Sequence, residues 1–427
     1  MLRMERYNPW WSKEPDNRYE AWAASPLKWV PAIVEAAPIR PFSLHFITGP
    51  RQVGKTTAVR ILIHRLLGKM DARSIFYFSC DELSDFKELG EVLDNYMGAR
   101  SAWGIGSSVL FLDEVTFVDE WYRAVKARID SGALARDVVF VTGSASIDLL
   151  KHKELFPGRR GGGRDFVMRP LDFSGFVSVM GGPAIRSGGI PGVGRNVSAN
   201  RLFSGSLAGL FGQYVQSGGF PAAVLDLAAR RKVTPETRRT YLDWMRGDWS
   251  KAGRSDRHMK EVLSYLFLAR GTPVSWHSIA SHSGLGSPHT ASAYVETLEN
   301  IFAALVLDLL TPQSRVDFKK NRKVHLADPF IFRVLGEYTG NEVPEDWLLE
   351  ATVASHLSRL GPVYYWRNHS EVDAVCVHKG RQVGFEVTSG LKRWKPPWHI
   401  RKAHLLDRAN AHLYLSAISN ENLNGPA

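Results

Sequence analysis

The segment SLHFITGPRQVGKTTAVRILIHRLL sets Gly49, Gly54, Lys55 and Thr56 at the spacing GxxxxGK[ST], between an apolar run and a helical pattern. Glycines at these places let the backbone curl so that its N–H groups face a phosphate. The N-terminus of the following helix adds positive potential. Lys55 then reaches the β- and γ-phosphates, and the Thr56 hydroxyl holds Mg²⁺. The loop Gly49, Pro50, Arg51, Gln52, Val53, Gly54, Lys55, Thr56 and Thr57 is the expected nucleotide contact, with ATP and Mg²⁺ as expected cofactors. Downstream, the apolar run Val109 to Leu112 ends in Asp113 and Glu114. Carboxylates at the C-terminal end of a parallel strand stand where such sheets bind ligands. Asp113 is expected to bind Mg²⁺ through water, and Glu114 to polarise the attacking water.

A third apolar run, DVVFVTGSAS, ends in Thr142, Gly143 and Ser144. A polar side chain there would hydrogen-bond the γ-phosphate or the water; Ser144 and Thr142 both fit, and Ser144 is preferred. In FPGRRGGGRDFVMRP, Arg159 and Arg160 follow a Pro-Gly turn. Arg159 reads either as an arginine finger acting in trans on a neighbouring copy or as part of an ordinary basic loop.

The elements that must position these residues follow from the apolar pattern. SLHFIT, SIFYFSC, SVLFLDEV and DVVFVTGS are near-continuous rather than alternating, as parallel strands covered on both faces require. With helical patterns between them they predict a doubly wound α/β unit over 41–180. Before it, residues 1–40 form an arm carrying Trp10, Trp11, Trp22 and Trp29, for which packing against the next domain is the expected role. Residues 181–206 are dense in Gly, Ser and Arg and read as an exposed, mobile insertion; 207–255 read as helical.

Residues 256–328 predict a winged helix. A turn at Gly284-Leu285-Gly286 is followed by Ser287 as N-cap and Pro288 in the first turn of a second helix. Ala291, Tyr294, Val295 and Leu298 are its buried stripe; His289, Thr290, Ser292, Glu296 and Glu299 face outward, without Arg or Lys. Base readout in a major groove usually relies on Arg, Lys, Asn or Gln. The cations lie instead in the following hairpin, at Arg315, Lys319, Lys320, Arg322 and Lys323, which favours phosphate contact by a wing or docking of a protein partner. The last part, 342–420, is expected to open with a helix and continue as three short strands, another helix and a final strand, AHLYLSA.

In this order GPRQVGKTT, LFLDEV, TGSAS, PGRR, RPLDFSGF and GGFP resemble a large prokaryotic group of AAA+-type ATPases, over roughly residues 40–400. The resemblance implies ATP binding and hydrolysis on a P-loop NTPase parallel sheet, followed by a helical lid, a winged helix and a C-terminal restriction-endonuclease-like α/β domain of uncharacterised function. Within 342–420, VYYWRNHSEVDAVCVHKGRQVGFEVTSGLKRWK resembles the core of the PD-(D/E)xK nucleases. That resemblance puts Asp373 and Glu386 in the acidic positions of a second metal site, with Glu350 as a third carboxylate. Thr388 stands where those nucleases carry a lysine; Lys392 is near enough in sequence to substitute. Two readings follow, an active nucleotide-gated nuclease and a degenerate fold kept for binding.

At 427 residues, with 44% hydrophobic and 23% charged residues, the chain is globular and long enough for roughly two to four domains. Its 54 Lys+Arg against 43 Asp+Glu leave a net charge of +11, which favours a polyanionic partner, nucleic acid first. The interleaved cations and tryptophans at Lys392, Arg393, Trp394, Lys395, Trp398, Arg401 and Lys402 suit a nucleic-acid backbone and unstacked bases. The two cysteines, Cys80 and Cys376, form no CxxC pair, and the histidines show no zinc-ligand spacing. With no apolar run long enough to span a membrane and no secretory pattern, the expectation is a cytoplasmic protein with no membrane contact. A trans arginine would make it a homo-oligomer.

Overall fold

The computed structural model describes residues 2–143, 155–368, 370–388 and 394–419, and the chain divides into two compact units after Arg169. In the first unit β1 (Ser43–Thr48), β2 (Ile75–Ser79), β3 (Val109–Asp113), β4 (Val138–Thr142) and β5 (Asp165–Val167) form one parallel sheet in the order β2-β3-β4-β1-β5. Every residue of β1, β3 and β4 is buried, as their unbroken apolar runs require. The pairings Ile47↔Thr142 and Ser79↔Asp113 bring the C-terminal ends of four strands to one level.

The arm ahead of β1 packs, as expected. It includes α1 (Asn17–Ala24) and lies along the edge strand β2. The Asn8 amide donates to the Tyr77 carbonyl (2.9 Å) and accepts from the Tyr77 N–H (2.7 Å), and the Trp10 and Trp11 indoles both donate to the Ile75 carbonyl. An open edge is thereby capped by side chains. Helices α2 (Lys55–Leu67), α3 (Phe86–Ala102) and α4 (Trp121–Asp130) complete the unit.

The second unit begins with α5 (Phe173–Val179). Residues 181–206 correct the expectation of an exposed insertion: they include α6 (Val193–Asn200) and enter α7 (Ser204–Ser217). Val193, Val197 and Asn200 are buried, and the Asn200 amide donates to Ser416. Next come α8 (Pro221–Arg230), α9 (Pro235–Lys251), α10 (Asp256–Ala269), α11 (Trp276–His282) and α12 (Pro288–Asn300). Ser287 caps α12 as expected, accepting the Thr290 N–H at 3.1 Å. Their core is built on Trp249, Phe330 and Trp347.

The hairpin region holds β6 (Ala304–Leu307), β7 (Leu309–Leu310), β8 (Val316–Asp317) and β9 (Lys323–Leu326); β6 pairs antiparallel with β9. After α13 (Pro329–Thr339) and α14 (Glu345–Leu357) come β10 (Val363–Arg367), β11 (Glu371–His378), β12 (Arg381–Val387) and β13 (Ala403–Leu406). The sheet order β13-β12-β11-β10-β7-β8 joins the hairpin to the C-terminal strands, so no boundary separates 256–328 from 342–420 at this sheet. AHLYLSA is not a strand but α15 (Ala411–Ala417), buried along nearly its whole length. A helix covered on every side shows no apolar stripe, which is why its pattern misleads.

Candidate nucleotide site and a second acidic cluster

Between β1 and α2 the loop turns through Gly49 (φ 144°), Gln52 (φ 61°) and Gly54 (φ 95°). Gly49 has no room for a side chain, since a Cβ there would lie 2.1 Å from the Met168 carbonyl oxygen. Lys55, the first residue of α2, is buried and donates to the Gly49 and Pro50 carbonyls at 2.9 Å each. Its ammonium is held within the loop's own carbonyls.

Thr56 lies beside the end of β3. Its hydroxyl donates to Asp113 Oδ2 at 2.7 Å, the Tyr77 hydroxyl donates to the same oxygen at 2.8 Å, and the Thr142 hydroxyl donates to Asp113 Oδ1. Asp113 is 1% exposed, so these donors replace the water that its charge has lost. Burial pushes the Tyr77 phenol well above its ordinary pKa, and the nearby Asp113 charge adds to the rise, so it stays a donor. The next residue, Glu114, takes a left-handed conformation (φ 57°, ψ 39°), and its N–H donates to Thr142 Oγ1 at 3.2 Å. A non-glycine residue in that region marks a backbone held by its surroundings, here at a strand's end.

Of the two strand-end candidates, Thr142 is thus in the network, whereas Ser144 lies outside the described residues. Arg159 is in neither: its guanidinium pairs with Asp130 at 2.5 Å, at the end of α4. Tyr77 is the member that sequence reasoning missed. Its only local cue is its place on an apolar strand whose next-but-one residue pairs with Asp113.

The second constellation assembles differently from its expectation. Glu350 on α14 and Asp373 on β11 do meet, but on a cation: Lys323 Nζ lies 2.7 Å from each and 3.0 Å from Glu371. Lys323 is 2% exposed, so it is no wing cation. Beside it, His325 accepts the Trp347 indole N–H at 3.1 Å; burial first, and the Lys323 charge second, push its pKa down to about 3. Burial pushes the Glu350 carboxyl well up, with the Asp373 charge adding and Lys323 opposing. Glu386 is buried on β12, and the neighbouring Val387 N–H donates to Asp373 Oδ2 at 2.8 Å. Among the described residues no group of three or more His, Cys, Asp and Glu is placed to hold a metal ion.

Of the other hairpin cations, Arg322 pairs with Asp308 at 3.0 Å, while Arg315, Lys319 and Lys320 are exposed. Lys395, Trp398, Arg401 and Lys402 are exposed as well; Lys392 and Arg393 lie outside the described residues. Trp394 is spent on packing, its indole donating to the Glu371 carbonyl. No helix among the described residues is long and apolar enough to cross a membrane.

Residues 42–177 match the family model of an AAA domain. This region has a P-loop AAA+ fold. Residues 209–342, beyond the AAA+ region, match a domain of unknown function, DUF8612. No curated protein matches the chain. Among solved structures, the Aeropyrum pernix ORC1 protein in complex with DNA is 17% identical, with 69% of this chain and 86% of that one covered and a TM-score of 0.31. The ORC2 protein of the same organism, in ADPNP–ADP complexes, is 9% identical over 70% of this chain and 88% of its own, with a TM-score of 0.39. Cdc6p from Pyrobaculum aerophilum is 13% identical over 71% and 90%, with a TM-score of 0.28.

Proposed function

We propose that the chain is a Mg²⁺-dependent ATPase whose second unit meets nucleic acid. The observation that carries the reading is the convergence of the Thr56, Tyr77 and Thr142 hydroxyls on Asp113, beside a glycine loop that encloses Lys55. Thr56 and Asp113 offer hard oxygen donors in mutual contact, a set that fits Mg²⁺. When bound, the cation would neutralise charge building on the phosphates. The loop N–H groups orient the phosphate chain and Lys55 gives up its carbonyl partners to them. Glu114, set at the strand's end by its backbone bond to Thr142, takes the place of the group that orients the attacking water.

Two variants test these roles. Lys55→Ala is expected to lose nucleotide binding. Glu114→Gln is expected to bind nucleotide as wild type does while hydrolysis falls about 100-fold or more. Hydrolysis that survives both changes would remove the assignment.

Assembly enters through Arg159. Its pair with Asp130 is exposed to water and so is held only weakly, which leaves the guanidinium able to serve a neighbouring copy. For the C-terminal cluster, we favour the module that holds nucleic acid without cutting it. The set Glu350, Asp373 and Glu386 does not fit a divalent metal with Lys323 seated between two of its members, and no cleavage step is derived from it. The exposed cations Arg315, Lys319, Lys320, Lys395, Arg401 and Lys402 support phosphate-backbone contact.

A further inference from the structure

We infer that Tyr77 is a positioning residue of the magnesium–nucleotide site, kept in place by the N-terminal arm. The inference rests on the ATPase reading above and extends it to residues outside the loop and the acidic pair.

Asp113 is held from three elements: α2 through Thr56, β2 through Tyr77 and β4 through Thr142. These donors are not equivalent. The Thr56 hydroxyl would also give an oxygen lone pair to a bound cation, so its direction toward the carboxylate is set by that cation as well. Tyr77 and Thr142 are not ligands of the cation in this reading, and they grip opposite oxygens, which fixes the plane of the carboxylate. An acid that binds a metal through water depends on that fixed orientation, since its supporting hydrogen bonds set where its free lone pairs point.

Tyr77 is in turn gripped from outside the sheet. The side-chain amide of Asn8 holds both its N–H and its carbonyl, at 2.7 and 2.9 Å. Its ring lies 3.8 Å beneath the Arg60 guanidinium, whose Nη1 is 3.4 Å from Asp16 Oδ2. Asn8, Asp16, Arg60 and Tyr77 are all buried. A run of contacts therefore leads from the arm to the metal-binding acid: Asp16, Arg60, Tyr77, Asp113. A tyrosine needed only for packing would be served by any acceptor, or by phenylalanine. This one spends its hydroxyl on the carboxylate that Thr56 also contacts.

The test is Tyr77→Phe, which keeps the ring and removes the hydroxyl. Binding of a fluorescent ADP analogue to the full chain is titrated against Mg²⁺, alongside a thermal melt without Mg²⁺. The expected result is about a tenfold rise in the Mg²⁺ needed for half of the affinity gain. Affinity without Mg²⁺ should stay within about twofold. Asp16→Asn, remote from the nucleotide, should shift the Mg²⁺ requirement in the same direction by less, and it serves as the test if Tyr77→Phe folds poorly. An unchanged Mg²⁺ requirement in the folded variants overturns the inference and returns Tyr77 to the core. A wild-type chain whose nucleotide affinity ignores Mg²⁺ is a different failure, that of the ATPase reading itself.

Discussion

Gly49 and Gly54 both carry positive φ in the phosphate loop, yet they are constrained for different reasons. At Gly49 the conformation (φ 144°) is joined by a collision, because an added Cβ would stand 2.1 Å from a backbone oxygen that cannot move aside without disturbing the pairing of β1 with β5. At Gly54 (φ 95°) the nearest atom is a Trp29 ring carbon at 3.9 Å, so strain acts without a clash. Gly49→Ala is therefore expected to lose nucleotide binding and roughly 1–3 kcal/mol or more of stability, and Gly54→Ala to lose less stability. Denaturant unfolding of the two variants, run side by side, checks the order; equal losses would show that the Met168 contact is unimportant. At this scale the sequence was legible wherever a residue acts through the backbone or by a fixed motif spacing. It was less so where geometry chooses between neighbours, as between Thr142 and Ser144.

The hairpin strand β9 shows what an element adds to its residues. Lys323 reads as one cation in a basic run, but β9 carries it, with His325 on the same face, into contact with α14 and β11. Its ammonium serves Glu350, Glu371 and Asp373 together, so deleting it leaves acids buried without their counter-charge. Lys323→Met is expected to destabilise the second unit by about 3–5 kcal/mol. Adding Glu350→Gln should return part of that loss, because one of the stranded acids is gone. Chemical denaturation of the single and double variants reads both effects, and a single-variant loss below about 1 kcal/mol would mean that the acids reach solvent or a cation instead. The same long-range logic separates the elements that were legible from those that were not. SLHFIT and DVVFVTGS declare themselves because a strand covered on both faces must be apolar throughout. The helix Val193–Asn200 hides in a Gly- and Ser-rich stretch because its partner, Ala411–Ala417, lies more than 200 residues away, as the Asn200–Ser416 hydrogen bond shows.

For the molecule as a whole, the surplus of +11 divides into charge that is spent and charge that is free to act. Arg60 and Lys323 are buried in ion pairs, and Arg100 and Arg322 are largely covered against Asp137 and Asp308. These cations hold the fold and cannot meet a partner. The hairpin tip is the opposite case: Arg315, Lys319 and Lys320 are exposed, within six residues of one another, on a turn that also bares Phe318. A polyanion neutralised by such a group releases counterions, so its affinity must fall with salt in proportion to the phosphates contacted. Replacing Arg315, Lys319 and Lys320 together by Ala is expected to weaken binding of duplex or single-stranded DNA and to lower the slope of log affinity against log salt by roughly two to three. The fold should be unaffected, since none of the three is buried. Fluorescence anisotropy at several salt concentrations measures the slope for the wild-type and triple-variant chains. Equal slopes would move the contact to Lys395, Arg401 and Lys402. A chain that binds neither DNA form would remove nucleic acid as the partner and leave the surface for a protein.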